Sequence, residues 1–146
     1  AQIVAAMGRI QDQVTSNPTS IAQYAGVAAL AGPQEFLAEW VAEFDRRRRV
    51  IVAGLDAIDG ISCRMPEGAF YVFPNVSGVL GRTTPDGKTL ASGDDFATYL
   101  LESAQVAVVP GSGFGAPGYV RLSYATSMQT IERGIARVAD AVAALR

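Results

Sequence analysis

Histidine is absent from the 146 residues, and cysteine occurs once, at Cys63. Without an imidazole base, neither a Ser/His/Asp triad nor a Cys/His pair can activate a nucleophile. One cysteine and no histidine also exclude a Cys/His zinc site built from a single chain, and a disulfide framework with it. Lysine is almost as scarce. Lys88 is the only one; it follows Pro85-Asp86-Gly87 in the most polar stretch, where a hydrated ammonium is a poor Schiff-base nucleophile. Excess charge of either sign is missing too. Lys+Arg 12 stand against Asp+Glu 14, a net charge of -2, so the phosphate neutralisation that drives nucleic-acid binding has no footprint here. The longest small apolar run, Ala25 to Ala31, falls far short of the ~20 residues that span a bilayer. The chain therefore reads as soluble, with no nucleic-acid and no membrane partner. Ala1 to Met7 carry no basic n-region and no initiator methionine, so no signal peptide is expected and the start looks like a cut in a longer sequence.

What is present is a core. Hydrophobic residues make up 49% and charged ones 18%, a composition that buries enough surface to offset ordering entropy. Ile3, Met7, Ile10 and Val14 recur at helical spacing, and a second helix follows Asn17-Pro18, with Asn17 as its cap and Pro18 in its first turn. That second helix, 18–31, is small and apolar on all sides. From Pro33 to Ile58, the positions Leu37, Val41, Phe44, Ile51, Leu55 and Ile58 predict one long helix. Within it Glu43/Arg47 and Asp45/Arg49 are acid-first pairs four apart, so the run Arg46 to Arg49 reads as a solvated face. Trp40 and Cys63 read as packing residues.

Beyond Gly60 the period shortens. Ile61–Arg64 and Ala69–Phe73, joined by Pro66-Glu67-Gly68, predict a hairpin. Ser92 and Asp95 form a cap for a helix carrying Phe96, Tyr99 and Leu100, and Thr126 with Gln129 a capping box for the last helix, striped by Ile131, Ile135, Val138, Val142 and Leu145. Val106–Val109 reads as a buried strand and Tyr119–Tyr124 as another. The fold class is α/β, an α+β layer: a small sheet of short strands with helices packed on it, preceded by two helices and a long connecting helix.

Arg121 is the one charge between Glu102 and Glu132, on a strand near Phe114, Tyr119, Tyr124 and glycine loops. A partly buried guanidinium needs a partner, and its planar fork suits a carboxylate. An exposed arginine on an edge strand is the competing reading. Gly111-Ser112-Gly113-Phe114-Gly115 follows a strand as a phosphate loop does, but leads through Pro117-Gly118 into another strand instead of opening a helix; close backbone approach beside Arg121 fits better.

Four segments taken in order, Thr15-Ser16-Asn17-Pro18-Thr19-Ser20, Pro66-Glu67-Gly68-Ala69-Phe70-Tyr71-Val72-Phe73, Val108-Val109-Pro110-Gly111-Ser112-Gly113-Phe114-Gly115 and Val120-Arg121-Leu122-Ser123-Tyr124-Ala125, resemble the C-terminal part of the class I, fold-type I pyridoxal-phosphate aminotransferases, bacterial aspartate aminotransferases above all. The resemblance covers nearly the whole chain. It implies that Arg121 holds the α-carboxylate of an amino-acid substrate, in a cytoplasmic, homodimeric enzyme that transfers amino groups between an amino acid and a 2-oxo acid. It also implies that Asn17 approaches the neighbouring subunit's site, beside its plainer reading as a helix cap. The family's Schiff-base lysine, the acid facing the pyridine nitrogen and the main phosphate contacts lie upstream of this stretch. The chain is therefore expected to be a fragment that does not bind pyridoxal 5'-phosphate or catalyse on its own. Residues 1–32 would belong to the large-domain side, 33–58 to a connecting helix and 59–146 to the small domain. One departure stands out: where one subgroup of aspartate enzymes has an arginine that reaches the substrate's side-chain carboxylate, this chain has Asp12. A different class of function, a non-catalytic α/β module binding a small carboxylate or a protein through helices 3–14 and 18–31, also fits the residues.

Overall fold

The computed structural model describes residues 1–146. The chain forms two compact units, Ala1–Glu39 and Trp40–Arg146.

The first unit holds helix α1 (Gln2–Val14), helix α2 (Ser20–Ala31) and the start of α3 (Glu35–Asp56). The apolar stripe read from the sequence is real, yet no residue of α1 or α2 is buried. The cap of α2 is Thr19, whose hydroxyl accepts from Ala22 N at 3.3 Å, and not Asn17. Pro18 accordingly precedes the helix instead of occupying its first turn. Ser16 turns the chain with φ 59°, which leaves Asn17 and Pro18 as linker and hands the capping geometry to the next hydroxyl.

In the second unit the rest of α3 buries Ile51, Val52 and Leu55. Its exposed side carries the two expected pairs, Glu43/Arg47 and Asp45/Arg49, and Arg46 and Arg48 join the same two carboxylates. These hydrogen bonds hold both carboxyls below their ordinary range. Arg48 departs from the solvated-face reading: its side chain is only 22% exposed, and Nη1 donates to Pro66 O at 2.7 Å. Trp40 is 61% exposed.

Three short strands, β1 (Tyr71–Val72), β2 (Val109–Pro110) and β3 (Val120–Ser123), form an antiparallel sheet in the order β1-β3-β2. Tyr71 lies opposite Ser123, and Val109 opposite Arg121. The hairpin expected between Ile61–Arg64 and Ala69–Phe73 is replaced by pairing of β1 with β3; a single bridge joins Ser62 to Asn75. Val72, fully buried, takes its segment to the centre of the core, where β3 supplies the ladder. The buried strand expected at Val106–Val109 is reduced to the edge pair Val109–Pro110, with Val109 42% exposed.

Helix α4 (Gly93–Tyr99) starts at Ser92, whose hydroxyl accepts from Asp95 N as expected, and continues into a wider turn over Leu100–Ala104. Helix α5 (Met128–Ala143) is capped by Ser127, which accepts from Thr130 N at 3.2 Å, one residue later than the Thr126 box. Its Ile131, Val138 and Val142 meet Leu55, Phe96, Leu100, Val120 and Tyr124 in one core, and Tyr99 Oη donates to Ala141 O at 2.9 Å. This core fixes β3, and with it the direction of every side chain on the opposite face of the sheet.

Candidate functional site: an arginine among aromatic rings

Strand β3 alternates as its sequence requires. Val120 and Tyr124 are buried at 1% exposure each, while Tyr119 and Arg121 stand half-buried on the other face. Because β3 is the central strand of three, the edge-strand reading of Arg121 fails. The guanidinium is instead set among rings. Its carbon lies over the ring of Tyr71 at 4.5 Å and over that of Phe114 at 4.6 Å from the centroids. Phe73 meets Phe114 edge-on at 6.0 Å and stacks on Tyr119 at 5.1 Å; Phe70 packs on Tyr71 at 4.4 Å.

Two of the expected neighbours, Phe114 and Tyr119, are in this cluster. Tyr124 is not: it belongs to the core, packs against Phe44, and donates to Ala69 O at 2.8 Å. Tyr71 and Phe73 were missed, although Tyr71-Val72-Phe73 alternates in the strand pattern that puts Tyr71 and Phe73 on one face. What the alternation lacks is the identity of the facing strand.

The glycine loop is a short helical turn, Gly111–Phe114, and its first residue does what close approach requires. Gly111 N donates to Tyr119 O at 2.8 Å, and a Cβ at this position would lie 2.2 Å from Ala116 O. No side chain fits there. The turn is thereby tied to the strand end and carries Phe114 to Arg121.

Electrostatically the cluster is one-sided. Arg46 to Arg49 and Arg82 are each matched to a carboxylate, whereas the Arg121 guanidinium has no ion pair and no hydrogen bond within the chain. A half-buried guanidinium on apolar walls, with its donors unspent, has the chemistry to take a carboxylate. Beside it a groove of about 570 Å³ is lined by Arg64, Met65, Pro66, Glu67, Tyr71, Phe73 and Tyr119. Asn17 belongs to the first unit, is exposed, and caps nothing. Asp12 is an exposed residue of α1.

A family model, aminotransferase class I and II, matches residues 1–138. The chain belongs to this family. It is 53% identical over 140 residues to an aspartate aminotransferase of Rhizobium meliloti, covering 96% of this chain and 34% of that protein. It is 47% identical to an aspartate/prephenate aminotransferase of Cereibacter sphaeroides, covering 94% of this chain and 34% of that protein. Among solved structures, the aspartate aminotransferase from Rhizobium meliloti superposes with a TM-score of 0.92 at 51% identity, over 99% of this chain and 36% of that one. An alanine aminotransferase from Pyrococcus furiosus follows the same path with a TM-score of 0.78 at 29% identity. The chain thus spans about a third of the length of the aminotransferases it matches, and its fold is a portion of the fold-type I aminotransferase architecture.

Membership in an aminotransferase family brings pyridoxal phosphate with it, and the residues present do not fit that group. The one lysine, Lys88, sits on an exposed turn with Nζ 3.9 Å from Asp95. In the glycine turn, the amides of Gly111, Gly115 and Ala116 are spent on backbone carbonyls. No helix is long and apolar enough to cross a membrane, and no cluster of acidic or sulfur ligands could hold a metal ion.

Proposed function

We propose that these residues form the carboxylate-binding part of an aminotransferase that moves an amino group between an amino acid, aspartate foremost, and a 2-oxo acid. The observation that carries this reading is Arg121: a half-buried guanidinium with aromatic walls and no acid of its own. Its fork takes the substrate's α-carboxylate through two parallel hydrogen bonds, which fixes the orientation of the adjoining Cα–H for proton removal. When bound, pyridoxal phosphate supplies the electron sink of such a reaction. Here that group, its lysine and its phosphate contacts belong to polypeptide outside these 146 residues, so the chain alone is inactive in transamination.

In the same reading, residues 1–32 belong to the large-domain side, 33–58 connect, and 59–146 form the small domain of a cytoplasmic homodimer. Asn17 then serves at the contact with the neighbouring subunit, a role consistent with its exposed, non-capping position.

Arg121→Lys, made in the whole enzyme that carries this segment, keeps the charge and loses the fork. The Michaelis constant for the amino donor should rise about ten-fold or more. An unchanged constant would remove Arg121 from the site. The non-catalytic carboxylate-binding module draws on the same unpaired guanidinium; a reading frame without an upstream lysine segment would favour it over the enzyme.

A further inference from the structure

We propose that Tyr71 and Phe114 clamp the two faces of the Arg121 guanidinium and so make the site select a planar carboxylate over a tetrahedral oxyanion. The proposal rests on the reading of Arg121 as the partner of the α-carboxylate, and adds what the site rejects.

All five guanidinium N–H bonds lie in one plane. An anion can approach from the faces or along the edges, and a ring on a face closes that route while its negative quadrupole holds the cation. Arg121 has a ring at 4.5 Å and another at 4.6 Å, one from β1 and one from the turn that precedes β3. Both walls are braced. Tyr71 is fixed by its register opposite Ser123, two residues from Arg121, and by Phe70 behind it. Phe114 is held edge-on by Phe73, which is stacked on Tyr119, and its turn is pinned by Gly111. Each ring is therefore placed by the sheet or by the turn and not by the side chain of Arg121.

A carboxylate fits such a slot, since both oxygens lie in the guanidinium plane. A phosphonate or sulfonate cannot keep all three oxygens in that plane, and the third meets Tyr71 or Phe114. Apolar rings give that oxygen no hydrogen bond in return.

The test uses the whole enzyme, with L-aspartate as donor and, as inhibitor, the aspartate analogue whose α-carboxylate is replaced by a phosphonate. The quantity of interest is the ratio of the analogue's inhibition constant to the Michaelis constant of aspartate. Phe114→Leu and Tyr71→Leu should each lower that ratio roughly three- to ten-fold. Phe114→Tyr and Tyr71→Phe, which keep a ring face, should hold it at the native value. A merely structural role would weaken both ligands together and leave the ratio unmoved. Phe114 is 52% exposed, so its truncation leaves the core intact and decides the matter even if Tyr71→Leu does not fold. Arg121→Lys serves as the companion variant. If it leaves the constant for aspartate unchanged, the α-carboxylate reading is lost; if it raises that constant while both leucine variants keep the native ratio, the clamp alone is overturned.

Discussion

Burial pushes the Cys63 thiol from an ordinary 9.0 up to about 11, with the nearby Asp56 carboxylate adding to the effect. The same Asp56 accepts from the backbone N–H of Cys63 at 2.9 Å, so the repulsion is built into the turn after α3. The neutral thiol is favoured in the fold, and the unfolded chain gives up its proton first. Stability from this residue is full below pH 9, and is lost as pH rises from about 9 to 11. Urea unfolding across that window should show the decline in the native chain and a flatter profile in Cys63→Ala. Tyr99 and Tyr124, also raised by burial, add their own loss at higher pH in both proteins. Equal slopes would refute the assignment. At this scale, single residues of unusual chemistry were legible: a cysteine with no activating neighbour is core, and the lone charge on its strand is the arginine set among rings. The choice among equivalent residues was not. Thr19 and Ser127 displaced Asn17 and Thr126 as caps because several hydroxyl and amide side chains in a row can each do the job, and the backbone path selects one.

Among elements, long helices were legible from period alone, although α3 buries only the Ile51 and Leu55 end of its stripe and leaves Leu37 and Val41 exposed, while α5 buries Ile131, Val138 and Val142 of its own. The strands were harder because each has only two to four residues. A two-residue strand has no alternation of its own, and its partner is chosen by the core, as Val72 chose β3 over the neighbouring Ile61–Arg64 segment. That is why Tyr71 and Phe73 escaped the sequence reading of the site. The link between α3 and β1 shows how one side chain holds two elements in register. Arg48 reaches from α3 to Pro66 O at 2.7 Å, while Tyr124 reaches Ala69 O from the sheet side at 2.8 Å. The segment that leads to Tyr71 is thus anchored twice. Arg48 Nε is buried without a partner, so the anchor carries a cost of its own. Arg48→Ala should destabilise the fold by about 1–3 kcal/mol through the orphaned carbonyl and lost packing. Arg48→Met keeps the aliphatic body and removes the orphan, so its loss should be smaller. Urea unfolding of the two variants checks the order, and equal losses would show that the Pro66 bond alone matters.

For the whole molecule, the distribution of apolar surface is the dominant fact. The second unit has a closed core, with Val72, Val76, Val79, Leu90 and Phe96 fully buried. The first has none: Ile3, Val4, Met7, Ile10 and Val14 of α1 are 64–77% exposed, and Ile21, Tyr24, Val27 and Leu30 of α2 are 65–86% exposed. Helix α2 is apolar on all sides, the composition of a helix made to be enclosed. Such contiguous surface seldom stays in water on a monomer. Other polypeptide is the natural cover for it. Without it, the isolated chain should self-associate in a concentration-dependent way, seen as a rise in apparent mass by light scattering between low and high concentration. Charges placed on both helices, Ile10→Glu with Leu30→Glu, should return it to a monomer. They should leave the unfolding midpoint of the second unit unchanged, because neither residue contributes to its core. A native chain that stays monomeric at high concentration would show that these helices find enough cover in one copy, and would refute this account of their surface.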